Sequence, residues 1–202
     1  MPMILRSAPA SPFSRKVKIA SYVLGLADKI ETHILNSSDP KDPIRQQNPL
    51  AKIPTLVLEN GTSIYDSRVI LEYFDMLAGG GKIIPKETDA RFAALTTAAL
   101  ADGIMDASLL VVYESRYRPD QTPHEGWLNL QRGKIERALA ELAANLPATS
   151  SINVGNIGLA CALGYLDLRK QVDWRAKYPA LIGWLDAFRA ACPYFDKTKP
   201  EG

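Results

Sequence analysis

A serine set between a strand and a helix can address an anion with its hydroxyl and with the helix's own amides. Ser11 stands at such a place: the short apolar run Met3-Ile4-Leu5-Arg6-Ser7 precedes it, Pro12 follows, and Val17, Ile19, Ala20, Val23 and Leu24 recur beyond at helical spacing. Pro12 fits the first helical position and Ser11 the N-cap. The unpaired N–H groups of that first turn open into the same space as the cap hydroxyl. Ser11 is equally suited to plain capping, so its position alone does not decide between the two. A second feature is Asn48-Pro49-Leu50-Ala51-Lys52-Ile53-Pro54-Thr55-Leu56, where Pro54 opens a strand and holds Ile53 extended. A cis bond at that corner would present the Ile53 backbone to a ligand as an antiparallel partner, which grips a peptide without reading its side chains. An ordinary proline-started strand is the competing reading. Third, Tyr65-Asp66-Ser67-Arg68 opens a helix, and the Ser67 hydroxyl and N–H could receive a carboxylate there, with Lys52 as a second anion contact. Asp and Ser are also common as simple helix starters. Each signal is weak alone, and their order along the chain is the informative part.

The elements that must hold these residues follow from changes of period. The first eighty residues read strand, helix, strand (Ile30 to Leu35), a short polar helix or loop (Asp39 to Gln47), strand (Pro54 to Leu58), an Asn60-Gly61 hairpin into Ser63-Ile64-Tyr65, and a helix through Val69, Ile70, Tyr73, Phe74 and Leu77. This is a small α/β unit of order βαβ then ββα, covering 1–79 and stopped by Gly79-Gly80-Gly81. Apolar residues then recur at three-to-four spacing over Ala90–Val112, Trp127–Leu146 and Ile157–Leu168, with a last amphipathic stretch after Pro179. Residues 85–202 therefore form an all-helical domain, so the fold class is α/β plus all-α.

Composition narrows the function classes. The 202 residues carry 24 Lys plus Arg against 22 Asp plus Glu and are 47% apolar, which describes a globular chain with enough core to fold unaided. Charge is balanced in both halves, so no nucleic-acid face is expected. No uninterrupted apolar stretch nears the roughly 20 residues of a membrane helix, and the N-terminus lacks a leader pattern, so a cytoplasmic protein without membrane attachment is expected. Cys161 and Cys192 form no CxxC pair, which leaves no dithiol centre and no metal site. Cys161 lies in an apolar helical run and reads as a buried small hydrophobe, while His33 and His124 read as structural or solvated.

Ser-Pro-Phe-Ser-Arg-Lys-Val at 11–17, Asn-Pro-Leu-Ala-Lys-Ile-Pro-Thr-Leu at 48–56 and Asp-Ser-Arg-Val-Ile-Leu-Glu-Tyr at 66–73 resemble three blocks of the glutathione S-transferase family. Asn156 to Asp167 and Tyr178 to Leu185 are similar to its helical domain, so the resemblance runs along nearly the whole chain. It implies a thioredoxin-like N-terminal domain, a helical domain forming an electrophile pocket, a cytoplasmic homodimer of the bacterial type and a role in detoxification. Residue by residue, Ser11 matches the catalytic serine of serine-type members. Lys52 matches the lysine on the glycyl carboxylate, Ile53 the main chain paired with the cysteinyl part, and Pro54 the cis-proline. Ser67 matches the serine holding the γ-glutamyl carboxylate. Asp66 occupies a position more often Glu or Gln, one methylene longer. The helix that usually opens with a Ser/Thr-x-x-Asp box reads Asn153-Val154-Gly155-Asn156, a weakened cap.

The resemblance implies glutathione as co-substrate, no metal, and a small hydrophobic electrophile held near Phe13, Ile104 and Tyr113, with Arg116 and Tyr117 beside them. Asp102 or Asp106 would reach the partner's γ-glutamyl amino group. A free thiol with pKa near roughly 8.5 is mostly protonated at neutral pH, and one hydroxyl donor from Ser11 would bring it to around 7. Ser7 and Ser14 are lower-ranked candidates for that donor. Two other readings stay open: a non-catalytic binding or regulatory protein on this fold, and a glutathione-dependent isomerase. A thiol-transferase would need a cysteine at position 11.

Overall fold

In the computed structural model, which describes residues 2–36 and 39–200, the opening apolar run is strand β1 (Met3–Ser7). Met3 and Leu5 on it are buried, and the strand feeds helix α1 (Pro12–Val23), whose Val17, Ile19 and Ala20 have no exposed surface. Pro12 at the first helical position and Gly25 just past the end, at φ +67°, bracket α1 as the sequence predicts. Strand β2 (Ile30–Ile34) pairs parallel to β1, while β3 (Thr55–Val57) pairs antiparallel to β1 and with β4 (Ser63–Ile64). The sheet order is β2-β1-β3-β4, the mixed sheet of a thioredoxin-like domain. The Asn-Gly hairpin forms: Gly61 takes φ +84° and the Asn60 side chain accepts the Thr62 N–H at 3.0 Å. Helix α3 (Ser67–Leu77) buries Ile70, Leu71 and Phe74 and packs beside α1.

Two buried carboxylates fix the connections, and the sequence reading singled out neither. Asp42 takes the N–H groups of Ile44 and Asn36, each at 2.9 Å, and the Arg6 guanidinium at 2.6 Å. It thereby ties β1 to the segment ahead of the short helix α2 (Ile44–Gln47), and those backbone donors hold its carboxyl below the usual range. Asp75 near the end of α3 accepts from the N–H groups of Gly81, Lys82 and Ile83 at 2.7, 2.8 and 2.7 Å, with Ile84 at 3.3 Å. Burial pushes the Asp75 carboxyl up, but the backbone donors outweigh it and its pKa is lowered.

The chain then forms helices α4 (Thr88–Tyr117), α5 (Glu125–Ala144), α6 (Val154–Arg169), α7 (Trp174–Lys177), α8 (Pro179–Ala191) and α9 (Tyr194–Lys197). Short α7 and α9 lack the length to show a period, which is why the sequence does not announce them. Helix α6 is the apolar centre: Ile157, Leu159, Ala160, Cys161, Ala162 and Leu163 have no exposed surface. Gly155 lets it approach α4, since a Cβ there would stand 2.7 Å from the Ala94 carbonyl and 2.8 Å from Thr97 Cβ. The cap of α6 is one-sided rather than a box. Asn153 accepts the Asn156 N–H at 3.0 Å, while Asn156 turns its amide to the Ala148 and Ser151 carbonyls at 2.8 Å each.

The chain divides into one compact unit of Met1–Arg91 with Tyr194–Gly202, and a second of Phe92–Pro193. The last helix thus returns to the first unit instead of ending the helical one. Arg15 on α1 holds it there, donating to the Phe195 carbonyl at 2.7 Å with its guanidinium 3.9 Å from the Phe195 ring centre. Helix α4 is long and apolar enough to cross a membrane by length and composition alone. However, it carries Asp102 and Asp106 at mid-length and buries Ala101, Ile104, Met105, Ala107 and Val111, as a core helix does.

Candidate functional site

Ser11 sits at the N-cap of α1 with extended backbone, φ −79° and ψ 117°, and is half-buried. Its Oγ accepts the Ser14 N–H at 3.2 Å. That bond occupies a lone pair and leaves the hydroxyl proton available to an outside acceptor. The Phe13 N–H, second in the same turn, has no protein acceptor among the described residues. The rival serines are closed off: Ser7 and Ser14 are 0% and 1% exposed, with hydroxyls that have no hydrogen-bond partner among the described residues. Of the three, Ser11 alone offers its hydroxyl at the surface.

The second block is built by Asn48, which the sequence reading quoted but gave no role. Its side chain donates to the Lys52 carbonyl and to Thr55 Oγ1, both at 3.0 Å, and accepts the Leu50 N–H at 2.9 Å. Thr55 Oγ1 closes the loop by donating to the Lys52 carbonyl at 2.8 Å. Within this frame the Ile53–Pro54 bond is cis, and the N–H and C=O of Ile53 have no partner among the described residues. Lys52 is exposed and Pro54 buried. The third block behaves as a helix start: Asp66 caps α3 by accepting the Arg68 N–H at 2.9 Å, and Ser67 is buried, its hydroxyl without a hydrogen-bond partner among the described residues. The Arg68 guanidinium, 2.8 Å from the Asp66 carboxylate, holds that carboxyl below its usual pKa. Lys16 adds to the same field although it is 1% exposed, a burial that its place on an amphipathic helix does not signal.

The structure therefore brings onto one small domain a serine hydroxyl at a helix start, an open stretch of main chain, and a second helix start with a serine. A cationic side chain flanks the open main chain. Such a set binds an extended peptide by its backbone and its carboxylates. The profile of the glutathione S-transferase N-terminal domain matches residues 5–82, and that of the C-terminal domain matches 125–187. The uncharacterized GST-like protein YibF of Escherichia coli (strain K12) is 34% identical over 185 residues, 89% of this chain and 90% of that protein. The chain belongs to the glutathione S-transferase family. A glutathione transferase family member from Pseudomonas fluorescens Pf-5, solved with bound glutathione, is 42% identical with a TM-score of 0.91, covering 99% of this chain and all (100%) of that one. The same relative, solved with bound S-(propanoic acid)-glutathione, is also 42% identical and covers 98% and 100%, with a TM-score of 0.88.

In this member of the family, the residues expected around the electrophile differ in exposure. Phe13 is half-buried on α1, with the Lys16 ammonium 5.7 Å from its ring centre. Tyr113 is half-buried on α4, edge-on to Tyr117 with ring centres 4.9 Å apart. Ile104 is 1% exposed, so it belongs to the helical core and presents no surface to a ligand. Asp102 is buried and Asp106 exposed, so only the second is a solvated helix-face residue. Cys161 and Cys192 are both fully buried. His124 caps α5 through Nδ1, which accepts the Trp127 N–H at 3.0 Å, and His33 pairs with Glu31 at 2.7 Å. A cavity of about 380 Å³ lies between α1, β2 and residues 197–200; none of the candidate residues lines it.

Proposed function

We propose that this protein is a glutathione transferase in which Ser11 donates a hydrogen bond to the glutathione sulfur and so favours its thiolate. The observation carrying this reading is the direction of the Ser11 bond, which accepts from the helix and leaves the hydroxyl proton free to point outward. A hydrogen bond to a charged group contributes about 1.5–3 kcal/mol, and 1.36 kcal/mol moves a pKa by one unit. The bound thiol then titrates about one to two units below the roughly 8.5 of a free thiol. The thiol proton leaves to solvent, the sulfur forms the new bond to carbon, and the leaving group departs with its electron pair. Ile53 pairs its main chain with the cysteinyl part beyond cis-Pro54, Lys52 faces the glycyl carboxylate, and Ser67 receives the γ-glutamyl carboxylate. Asp66 meets the γ-glutamyl amino group only in competition with Arg68, already 2.8 Å away.

Glutathione seen in the Pseudomonas relative supports the ligand, and its S-(propanoic acid) form supports conjugation over a purely regulatory role. Exposed Val69 and Met76, seven residues apart on α3, together with Leu77, offer an apolar strip to a second copy, so we expect a homodimer in the cytoplasm. Light scattering at micromolar concentration tests the dimer. For the chemistry, Ser11→Ala should keep glutathione affinity yet raise the bound thiol's apparent pKa by about one to two units, read from thiolate absorbance. An unshifted titration curve in that variant would sink the reading.

A further inference from the structure

The cavity of about 380 Å³ beside α1 is lined wholly by the first unit, and its walls differ in kind from the groups proposed to hold glutathione. Three lysines line it: Lys18 on α1, Lys197 at the end of α9, and Lys199 just beyond. Among the described residues no carboxylate lines the cavity, and none pairs with any of the three ammonium groups. Asp28, Glu31 and Asp196 are sequence neighbours of lining residues without lining it themselves, and Glu31 is taken by His33 at 2.7 Å. Charges of one sign around a concavity focus the field there instead of cancelling it.

The walls are tied together without a ligand. Arg15 on α1 donates to the Phe195 carbonyl at 2.7 Å and, through Nε, to Thr198 Oγ1 at 3.4 Å, which fixes the turn that carries Lys197 and Lys199. The Lys197 ammonium lies 4.2 Å from the Tyr22 ring centre, and Tyr22 stacks on Tyr194 with ring centres 5.2 Å apart. Lys18 is half-buried, and burial lowers its pKa with no carboxylate to oppose the effect. A bound anion would offset that desolvation. The hydroxyls of Tyr22 and Thr32, which also line the cavity, have no hydrogen-bond partner among the described residues and add two donors. Ala27 and Ile30 supply apolar surface beside them.

The kind of cation narrows the kind of anion. No arginine lines the cavity, so there is no guanidinium fork to read a planar carboxylate. Ammonium groups act as point charges that can converge on a tetrahedral dianion. A phosphate monoester carries about −1.5 to −2 charges at neutral pH and so engages more than one lysine. The volume falls at the small end of the roughly 300–1,000 Å³ of ligand pockets, which suits a compact small molecule. Independently of the transferase reading, we infer that this cavity binds a small organic phosphate. Its phosphoryl group sits among Lys18, Lys197 and Lys199, and its apolar body rests on Ala27 and Ile30.

Calorimetry on the full chain at low salt tests this with 1-naphthyl phosphate. The comparison ligands are 1-naphthyl sulfate, alike in shape with less charge, and inorganic phosphate, which lacks the apolar body. The wild type should hold the phosphate ester about tenfold tighter than either, the size of one charge-assisted contact. Lys18→Gln should erase most of the advantage over the sulfate, while Lys197→Gln and Lys199→Gln, at exposed positions, should each cost about two- to fivefold. Ala27→Phe fills the cavity without changing charge and should weaken both esters about tenfold. Lys82→Gln removes an exposed lysine that does not line the cavity and should change nothing. Equal affinity for the two esters in the wild type overturns the inference. So does a loss in Lys82→Gln equal to that in Lys18→Gln, or an affinity for the phosphate ester that neither Lys18→Gln nor Ala27→Phe alters. If the melting curve shows that Ala27→Phe does not fold, the lysine variants decide by the same comparison.

Discussion

The two units of the chain offer chemistry in different ways. In the first, the candidate groups are largely main chain or groups attached to helix starts: the Ser11 cap, the open Ile53 peptide unit, and Ser67 on the first turn of α3. In the second the candidates are side chains carried on a long helix, Tyr113 with Arg116 and Tyr117 on α4. A site made of backbone is set by secondary structure and tolerates little variation. A site made of side chains on a fixed bundle can be changed one residue at a time without disturbing the fold. Under the proposed transferase function, the first arrangement suits a constant co-substrate and the second a variable one.

If the first unit depends on main-chain donors being satisfied, its most sensitive point is Asp75. Truncation in Asp75→Ala leaves the N–H groups of Gly81, Lys82 and Ile83 without their acceptor, and we expect a loss of about 3 kcal/mol or more in chemical unfolding. The sign with pH follows from the lowered carboxyl pKa. The stabilisation is present above the unfolded value of about 3.9 and is lost as pH falls through the lower folded value. The gap between wild type and variant should therefore begin to narrow below about pH 4 and go on narrowing as pH falls through the lower folded value. A constant gap down to strong acid would show that the carboxylate is not what holds the turn.

The matching point in the second unit is the small residue that lets α6 meet α4. Alanine is ordinarily the better helix former by about 1 kcal/mol, but at Gly155 its Cβ would stand 2.7 Å from a backbone carbonyl that cannot swing away. We expect Gly155→Ala to destabilise by about 1–3 kcal/mol through overpacking. Gly103 on α4 is the control, since an added Cβ meets nothing within 4 Å there. Gly103→Ala should raise the melting temperature, and the two variants moving in the same direction would contradict the packing argument.

The same contrast explains what the sequence makes legible. Strand, cap, proline corner and Asn-Gly hairpin have signatures within a few consecutive residues, so the order of the first unit and the placement of Ser11, Ile53 and Ser67 can be read directly. What escapes is whatever needs a third dimension. Nothing in the sequence marks Arg6, Arg15 and Lys16 as buried, yet they are 7%, 5% and 1% exposed. Asp42 and Asp75 look like loop and helix-end polar residues until their backbone partners are seen. Ile104 fits a pocket-lining position by its place on α4, but the helical period alone cannot say which of its apolar faces turns inward. The return of α9 to the first unit depends on Arg15 and Phe195, which lie 180 residues apart.

The smallest effects separate the two anion contacts proposed for glutathione. Ser67 is 2% exposed, so a contact from its hydroxyl to a carboxylate is shielded from water, and Ser67→Ala should weaken glutathione binding by about tenfold. Lys52 is exposed, and an ion pair made there is screened by solvent and salt. Lys52→Ala should cost no more than about fivefold at low ionic strength, shrinking toward nothing at about 1 M salt, where the Debye length is about 3 Å. The Ser67 effect should hardly change over the same range. Calorimetry of both variants at low and high salt therefore reads burial as well as affinity. Equal salt dependence in the two would mean that both contacts lie in water, and that helix α3 does not offer a sheltered seat for the γ-glutamyl carboxylate.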